Sequence, residues 1–267
     1  MNGAQALIES LKREGVTHMF GYAGATICPA VDALKDVPEI GYTLVRTEQN
    51  AGHMASGYAR VSGKVGVCMV TSGPGATNLI TGIATAYMDS IPMVAITGQV
   101  PSHLLGRDIF QEVDITGAVA PFSKHSYLVK DPNQIPRVVR EAFHIASTGR
   151  PGPVLIDIPI DVQEQALKRF DWPEEVNIRG YKPSTRGNDL QIKRVAETIA
   201  KARQPIICAG GGVWLADAQA ELLELAEGTG IPVVKTMMGI SLMPTGHPLN
   251  MGMIGAHGNH CANKALA

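Results

Sequence analysis

The sequence has no apolar run approaching the roughly 18 residues that a membrane-spanning helix requires, and it has no block of like charge. Its 23 Lys and Arg stand against 24 Asp and Glu, a net charge of -1. Nucleic acid and anionic membrane surfaces are therefore not expected as main partners, since both select basic patches. The opening "MNGAQALIESLKREG" runs straight into an amphipathic helix, without the basic-then-apolar pattern of a secretory leader. Only four cysteines occur (Cys28, Cys68, Cys208, Cys261), far apart and without metal-ligand spacing. Such thiols suit a reducing compartment, so the cytoplasm is the expected location and no metal site is expected from them. Aromatic residues are scarce at 5%, whereas hydrophobic residues reach 45% and glycines number 29. Close backbone contacts of that kind favour an α/β enzyme fold over an interaction module.

At 267 residues the chain exceeds the usual single-domain size. Ala4, Leu7, Ile8 and Leu11 repeat at helical spacing, with Gly15 as a stop. "VTHMFGY", "YTLVRT", "VGVCMVTSG", "PMVAITGQ" and "GPVLIDIPID" read as strands, several of them nearly continuous apolar runs suited to burial on both faces. "PAVDALKDV", Gln49–Arg60, Ala76–Met88 and Gln134–Ala146 fall between them as helices. This alternation predicts a doubly wound parallel α/β sheet over residues 1–162. A polar, Pro- and Gly-punctuated stretch, residues 163–189, is expected to be a linker. Residues 190–267 then open a second, Rossmann-like α/β domain with two predicted strands, "QPIICAGGG" and "IPVVKTMM". Two strands are few for such a sheet, so this domain is expected to be partial, or completed by a partner chain.

Parallel sheets bind ligands at the carboxyl ends of their strands, where the strand order reverses. "GYAGATICP" follows the first predicted strand, Glu48 ends the second, "TSGPGATN" the third and "TGQVP" the fourth. Gly-Pro-Gly by itself is a generic tight turn. Four such ends in one sheet form a rim that can surround a ligand.

Together "RTEQNAGHMASGYAR", "TSGPGATN", "IPMVAITGQV", "FQEVDITG" and "GRPGPVLIDIPIDV" resemble the pyrimidine-binding domain of thiamine-diphosphate enzymes. The nearest branch is the acetohydroxyacid (acetolactate) synthase catalytic subunit. "KTMMGISLMPTGHPLNMGMIGAHGNHCAN" resembles the opening of that family's central domain. The resemblance implies that Glu48 hydrogen-bonds N1′ of the cofactor's pyrimidine and so helps its exocyclic amine take the proton from the thiazolium C2. A carboxyl in that role needs shelter from water, for which Ala51, Gly52, Met54 and Ala55 are candidates. Burial disfavours the charge of Glu48 and its helix start favours it, and the sequence leaves the balance open. Gly24, Pro74 and Asn78 join Glu48 in the implied cofactor-binding set. Gln111 resembles the family glutamine that faces the reacting centre, with Phe110 packing beside it in the implied substrate channel; composition alone would make Phe110 core and Gln111 surface. Lys124 resembles a substrate-channel cation or is a loop lysine, and His53 reads as structural.

Gly210, Gly211 and Gly212 could let a backbone approach a pyrophosphate, although their spacing is not G-x-G-x-x-G. The resemblance implies FAD at this loop, in a structural rather than redox role, with Arg150, Thr236, Met237 and His257 contributing contacts. Taken singly, Arg150 is a loop arginine on local carbonyls and His257 a capping residue. Two departures from the family pattern stand out. The usual Y-P-G-G-A after the first strand is Tyr22-Ala23-Gly24-Ala25-Thr26, and no "GDG" motif with a following Asn pair occurs. That motif would hold the diphosphate through Mg2+, a hard cation that takes oxygen ligands. Its ligands are expected in another domain, supplied across a homodimer or by a partner chain. The implied activity is condensation of two 2-oxo acids with decarboxylation, in branched-chain amino-acid biosynthesis. A small regulatory subunit is a further implied partner. The competing expectations are a non-catalytic or split-subunit binding module, and a flavin oxidoreductase of the pyruvate oxidase kind.

Overall fold

The computed structural model describes residues 1–267, which divide into two compact units, Met1–Thr185 and Arg186–Ala267. In the first unit six strands form one sheet: β1 His18–Tyr22, β2 Gly41–Leu44, β3 Gly66–Val70, β4 Met93–Gln99, β5 His125–Leu128 and β6 Pro153–Pro159. Their order is β2-β1-β3-β4-β6-β5 and every pairing is parallel. This is the doubly wound α/β fold expected from the alternation of periods.

Helices α1 Gly3–Arg13, α2 Cys28–Ala33, α3 Glu48–Ser62, α4 Pro74–Met88, α5 Ile115–Val119, α6 Ile135–Ser147 and α7 Ile160–Glu164 cover the sheet. One face meets α1, α2 and α6. There Leu7, Ile8 and Leu11 pack with Met69, Val94, Ile96, Val154, Ile156 and Val139 in a single core. Because side chains alternate along a strand, Cys68, Ala95, Leu155 and Asp157 are the strand residues that alternate with those, and all are buried. Helices α3 and α4 cross closely, and the crossing is built from glycine. A Cβ on Gly82 would lie 2.8 Å from the Gly52 Cα, and one on Gly52 would lie 3.0 Å from the Gly82 Cα.

The stretch expected as a linker is held against this unit for most of its length. Ala166 bridges to Asn2, while Leu167, Phe170, Ile178 and Tyr181 pack on the main core. Phe170 and Trp172 stack at 6.5 Å, with the Arg13 guanidinium over Phe170 at 4.9 Å. Strand β5 and helix α5 have no counterpart in the sequence reading. "HSYL" is a half-exposed edge strand without an apolar run, so periodicity gives it no signal.

The second unit has a three-stranded parallel sheet, β7 Ile207–Ala209, β8 Val233–Lys235 and β9 Asn250–Met253, ordered β7-β8-β9. Two strands were expected, and β9 is the addition; its four residues are only half-buried. Helices α8 Asp189–Lys201, α9 Gly211–Leu215, α10 Gln219–Thr229 and α11 His260–Leu266 complete it. Its small core gathers Ala209, Leu222, Ala226, Val233, Leu242 and Met243. No helix in either unit is long and apolar enough to cross a membrane.

Candidate functional site

In the first sheet the chain passes from β1 to β2 on one side and returns to place β3 on the other, so the order reverses at β1/β3. The loops after β1 and β3 diverge there and leave a crevice at the carboxyl edge. Gly24 lies where a Cβ would fall 2.6 Å from the Thr71 side chain, so only glycine lets the two loops approach this closely. The hydroxyls of Thr26 and Thr71 are 2.9 Å apart, and the Ser72 amide donates to Thr26 Oγ1 at 3.0 Å. Gln163 Nε2 reaches in from α7 to Thr26 O at 2.8 Å.

Glu48 is the first residue of α3 and is 9% exposed. Asn78, one turn into α4, donates Nδ2 to Glu48 Oε2 at 3.0 Å. The other carboxyl oxygen has no hydrogen-bond partner in the chain, and it faces Gly75, where a Cβ would sit 3.3 Å from Oε1. Ala51 and Ala55 are fully buried and Gly52 is closed off by Leu79 and Gly82, so the side of α3 that they form is packed rather than solvated. Met54 does not share in this packing: it is 40% exposed, and His53 is exposed as well. Pro74 starts α4, where its missing N–H costs nothing. The hydroxyl of Ser72 is buried in the same turn without a partner.

Gln111 reaches this rim through its backbone. Gly73, at φ 56, has no side chain, and a Cβ there would lie 2.8 Å from Gln111 O and 2.9 Å from its Cα. Phe110 is 87% exposed, so it is not the core residue that composition alone would make it.

Lys124 was open between a substrate-channel cation and a loop lysine. It precedes β5, and its amide bonds Pro153 O at the start of β6, which places it at the amino edge of the sheet, away from Glu48. Its ammonium donates to Ile145 O, to Thr148 O at 2.7 Å and to Tyr181 Oη at 2.9 Å. It is a structural clamp at the C-terminal end of α6. Arg150 also precedes β6; its Nε donates to Ser90 Oγ at 2.7 Å and its Nη2 to Met88 O at 3.3 Å, the local partners expected of a loop arginine. A cleft of about 500 Å³ likewise opens at that amino edge, beside Glu14, His18, Lys64 and Arg140. It contains none of the residues that ring Glu48, and chemistry rather than volume marks the candidate site.

In the second unit Gly210–Gly212 follow β7 and Thr236 and Met237 follow β8, so they share one carboxyl edge. A Cβ on Gly210 would lie 3.4 Å from Thr236 Oγ1, and one on Gly211 would lie 3.0 Å from the Met238 Cβ. Met237 is 71% exposed, and His257 is exposed in the loop after β9. Arg150 belongs to the other unit.

Behind the first sheet's rim lies a polar group that sequence reasoning missed. Asp157, 1% exposed in β6, accepts Thr97 Oγ1 at 2.6 Å and Gln99 Nε2 at 2.9 Å. Burial pushes its carboxyl from 3.8 up to about 7, against the lowering effect of the two hydrogen bonds. The Gln99 amide also donates to Val113 O at 2.9 Å, tying the buried acid to the loop that bears Gln111. The signal was an Asp inside the apolar run "VLIDIP".

The pattern described as "Thiamine pyrophosphate enzyme, N-terminal TPP binding domain" matches residues 1–118, and "Thiamine pyrophosphate enzyme, central domain" matches residues 192–267. A Methanocaldococcus jannaschii protein named "Probable acetolactate synthase large subunit" is 52% identical over the whole of this chain and 45% of its own length. The "Acetolactate synthase large subunit IlvB1" of Mycobacterium tuberculosis is 53% identical over the whole chain and 43% of its own length. The "Acetolactate synthase large subunit" of Corynebacterium glutamicum is 51% identical, with 42% of its length matched. The chain thus spans a little under half the length of the curated relatives it matches.

Proposed function

The chain belongs to the thiamine pyrophosphate enzymes, and on that basis we propose that it supplies the pyrimidine half of an acetolactate synthase active site. The reaction would join two 2-oxo acids, pyruvate with pyruvate or 2-oxobutyrate, with release of carbon dioxide. The observation that carries this reading is the Glu48 carboxyl: buried, held at one oxygen by Asn78, and free at the other beside a glycine. A heterocycle with a ring nitrogen would meet that free oxygen, and Gly75 keeps a side chain from crowding it: a Cβ there would strike Thr71 Cγ2 at 2.7 Å and lie 3.3 Å from Glu48 Oε1. Bound thiamine diphosphate would supply the acidic carbon that adds to the substrate carbonyl.

The work of the chain itself is proton placement. Glu48 Oε1 holds or accepts a proton at the ring nitrogen, and Asn78 fixes the carboxyl plane so that Oε1 rather than Oε2 faces the cofactor. The burial of Glu48 keeps water from competing for that proton. Gly24 and Gly73 let the β1 and β3 loops and the Gln111 backbone close around the crevice. In this reading Mg2+ and the diphosphate are held by a further domain, from a second subunit or a partner chain. FAD would lie on the carboxyl edge of the second unit's sheet, where the Gly210–Gly212 loop offers backbone to a pyrophosphate. Regulation by a small subunit, and cytoplasmic location, follow from the same family reading.

The test is Glu48→Gln, assayed for acetolactate in the presence of a diphosphate-domain partner. Loss of proton transfer should lower turnover by a factor on the order of 10² to 10⁴. An unchanged rate would remove Glu48 from the reaction.

A further inference from the structure

Residues 100–114, between β4 and α5, carry both Phe110 and Gln111, and the two stems of this loop are anchored. Ser102 donates its amide and hydroxyl to the two carboxylate oxygens of Asp161, at 2.9 and 2.5 Å. At the other stem Gln99 Nε2 donates to Val113 O. Between the stems, residues 105–112 make no hydrogen bond to the rest of the chain. Apolar burial contributes little at the tip, where Phe110 is exposed and Leu105 and Ile109 are only partly buried. Yet the tip has a demanding backbone: Asp108 and Gln111 adopt φ of 52° and 60°, conformations that residues with side chains seldom take.

The hydrogen bonds of the tip converge on one group. Gly106 N–H donates to Glu112 Oε1, and Ile109 N–H donates to Oε2 at 3.2 Å. The amides of Arg107 and Asp108 face the same carboxylate, and with Gly106 in the lead these donors hold it below the usual carboxylate range. The Glu112 amide in turn donates to Ile109 O at 3.0 Å. We propose that Glu112 is a positioning residue, the hub on which this loop winds so that Gln111 is held against the Gly73 turn beside Glu48. A carboxylate is suited to the task because both oxygens only accept, and together they offer about four lone-pair sites to the converging N–H groups. A glutamine would turn an NH2 towards one of those donors. The inference rests on the reading that Gln111 faces the reacting centre; the wrapping of the tip around Glu112 does not.

The test compares the full chain with its Glu112→Gln and Glu112→Ala variants. Amide hydrogen exchange is followed at residues 104–113 and, as a control on folding, in β4 and β6. Acetolactate formation is measured with the diphosphate-domain partner used for Glu48. At least a tenfold loss of protection at Gly106 and Ile109 is expected, with β4 and β6 unchanged. With it, kcat should fall ten- to a hundredfold while KM moves less than threefold, as for a misplaced group that still lets substrate bind. Gly73→Ala approaches from the other side: its Cβ strikes Gln111 with Glu112 intact, and it should lower kcat while Gly106 stays protected. Unchanged protection in both Glu112 variants overturns the proposal. So does lost protection with unchanged kcat while Glu48→Gln is inactive, a result that leaves the site reading standing. Full activity in Glu48→Gln fails the site reading instead, whatever Glu112 does to the loop.

Discussion

Replacing Asp157 with Asn removes a buried charge and keeps the shape of the side chain. Asp157 lies between β4 and the α5 loop, its oxygens engaged by Thr97 and Gln99. Its carboxyl is raised from 3.8 to about 7, with burial as the main cause. A raised carboxyl means that the folded chain binds the proton more tightly than the unfolded chain. Stability from this group is therefore full below pH 4 and is lost as the pH climbs towards 7. At 1.36 kcal/mol per pH unit the loss is about 4 kcal/mol. Asparagine stays neutral throughout. It can accept from Gln99 through its carbonyl and donate to the Thr97 hydroxyl, at the cost of about 1 kcal/mol for one rearranged hydrogen bond. Above pH 8 Asp157→Asn should then be about 3 kcal/mol more stable than the parent, and below pH 4 about 1 kcal/mol less stable. Urea unfolding between pH 4 and 8.5 measures this, with Trp172 as the probe in a Trp214→Phe background so that the first unit alone is reported. Parallel pH dependences for Asp157→Asn and the parent would refute the argument, for then Asp157 is ionised in the folded chain at no cost.

Lys124→Met should cost about 2 kcal/mol, since it removes a charged donor from two carbonyls and the Tyr181 hydroxyl. Its effect on kcat should be below twofold because Lys124 stands at the amino edge; a hundredfold loss of kcat in folded protein would return it to the substrate path. Gly66→Ala should destabilise the first unit by about 3 kcal/mol or more, as its Cβ would lie 2.1 Å from Ala55 O, an atom of helix backbone. Thermal unfolding checks this, and a shift of less than a degree contradicts the packing of α3 on β3.

Much of the architecture was legible because burial on both faces writes itself into composition. "VGVCMV", "PMVAIT" and "PVLIDIP" became β3, β4 and β6, whose residues are buried throughout. Glu48 was legible as a carboxylate where a strand gives way to a helix of small residues, and Gly24 as a loop glycine. Strand β5 was not, because an exposed edge strand carries no such pattern. Without β5, Lys124 had no assigned edge of the sheet, so channel cation and loop lysine stood as equal readings. The exposure of Phe110 was hidden for a related reason: an aromatic side chain looks the same in sequence whether it meets its own core or faces away from it.

Local rules of periodicity, glycine placement and helix starts thus determined that strands alternate with helices, that the sheet is parallel, and that reactive groups gather at the strand ends. Tertiary structure alone decided which of those groups meet. The Asn78 amide finds Glu48 because glycines let α3 and α4 cross backbone to backbone, and Asp157 finds Gln99 across two strands that the chain separates by some 58 residues. Such contacts depend on distances between elements, which no stretch of neighbouring residues encodes.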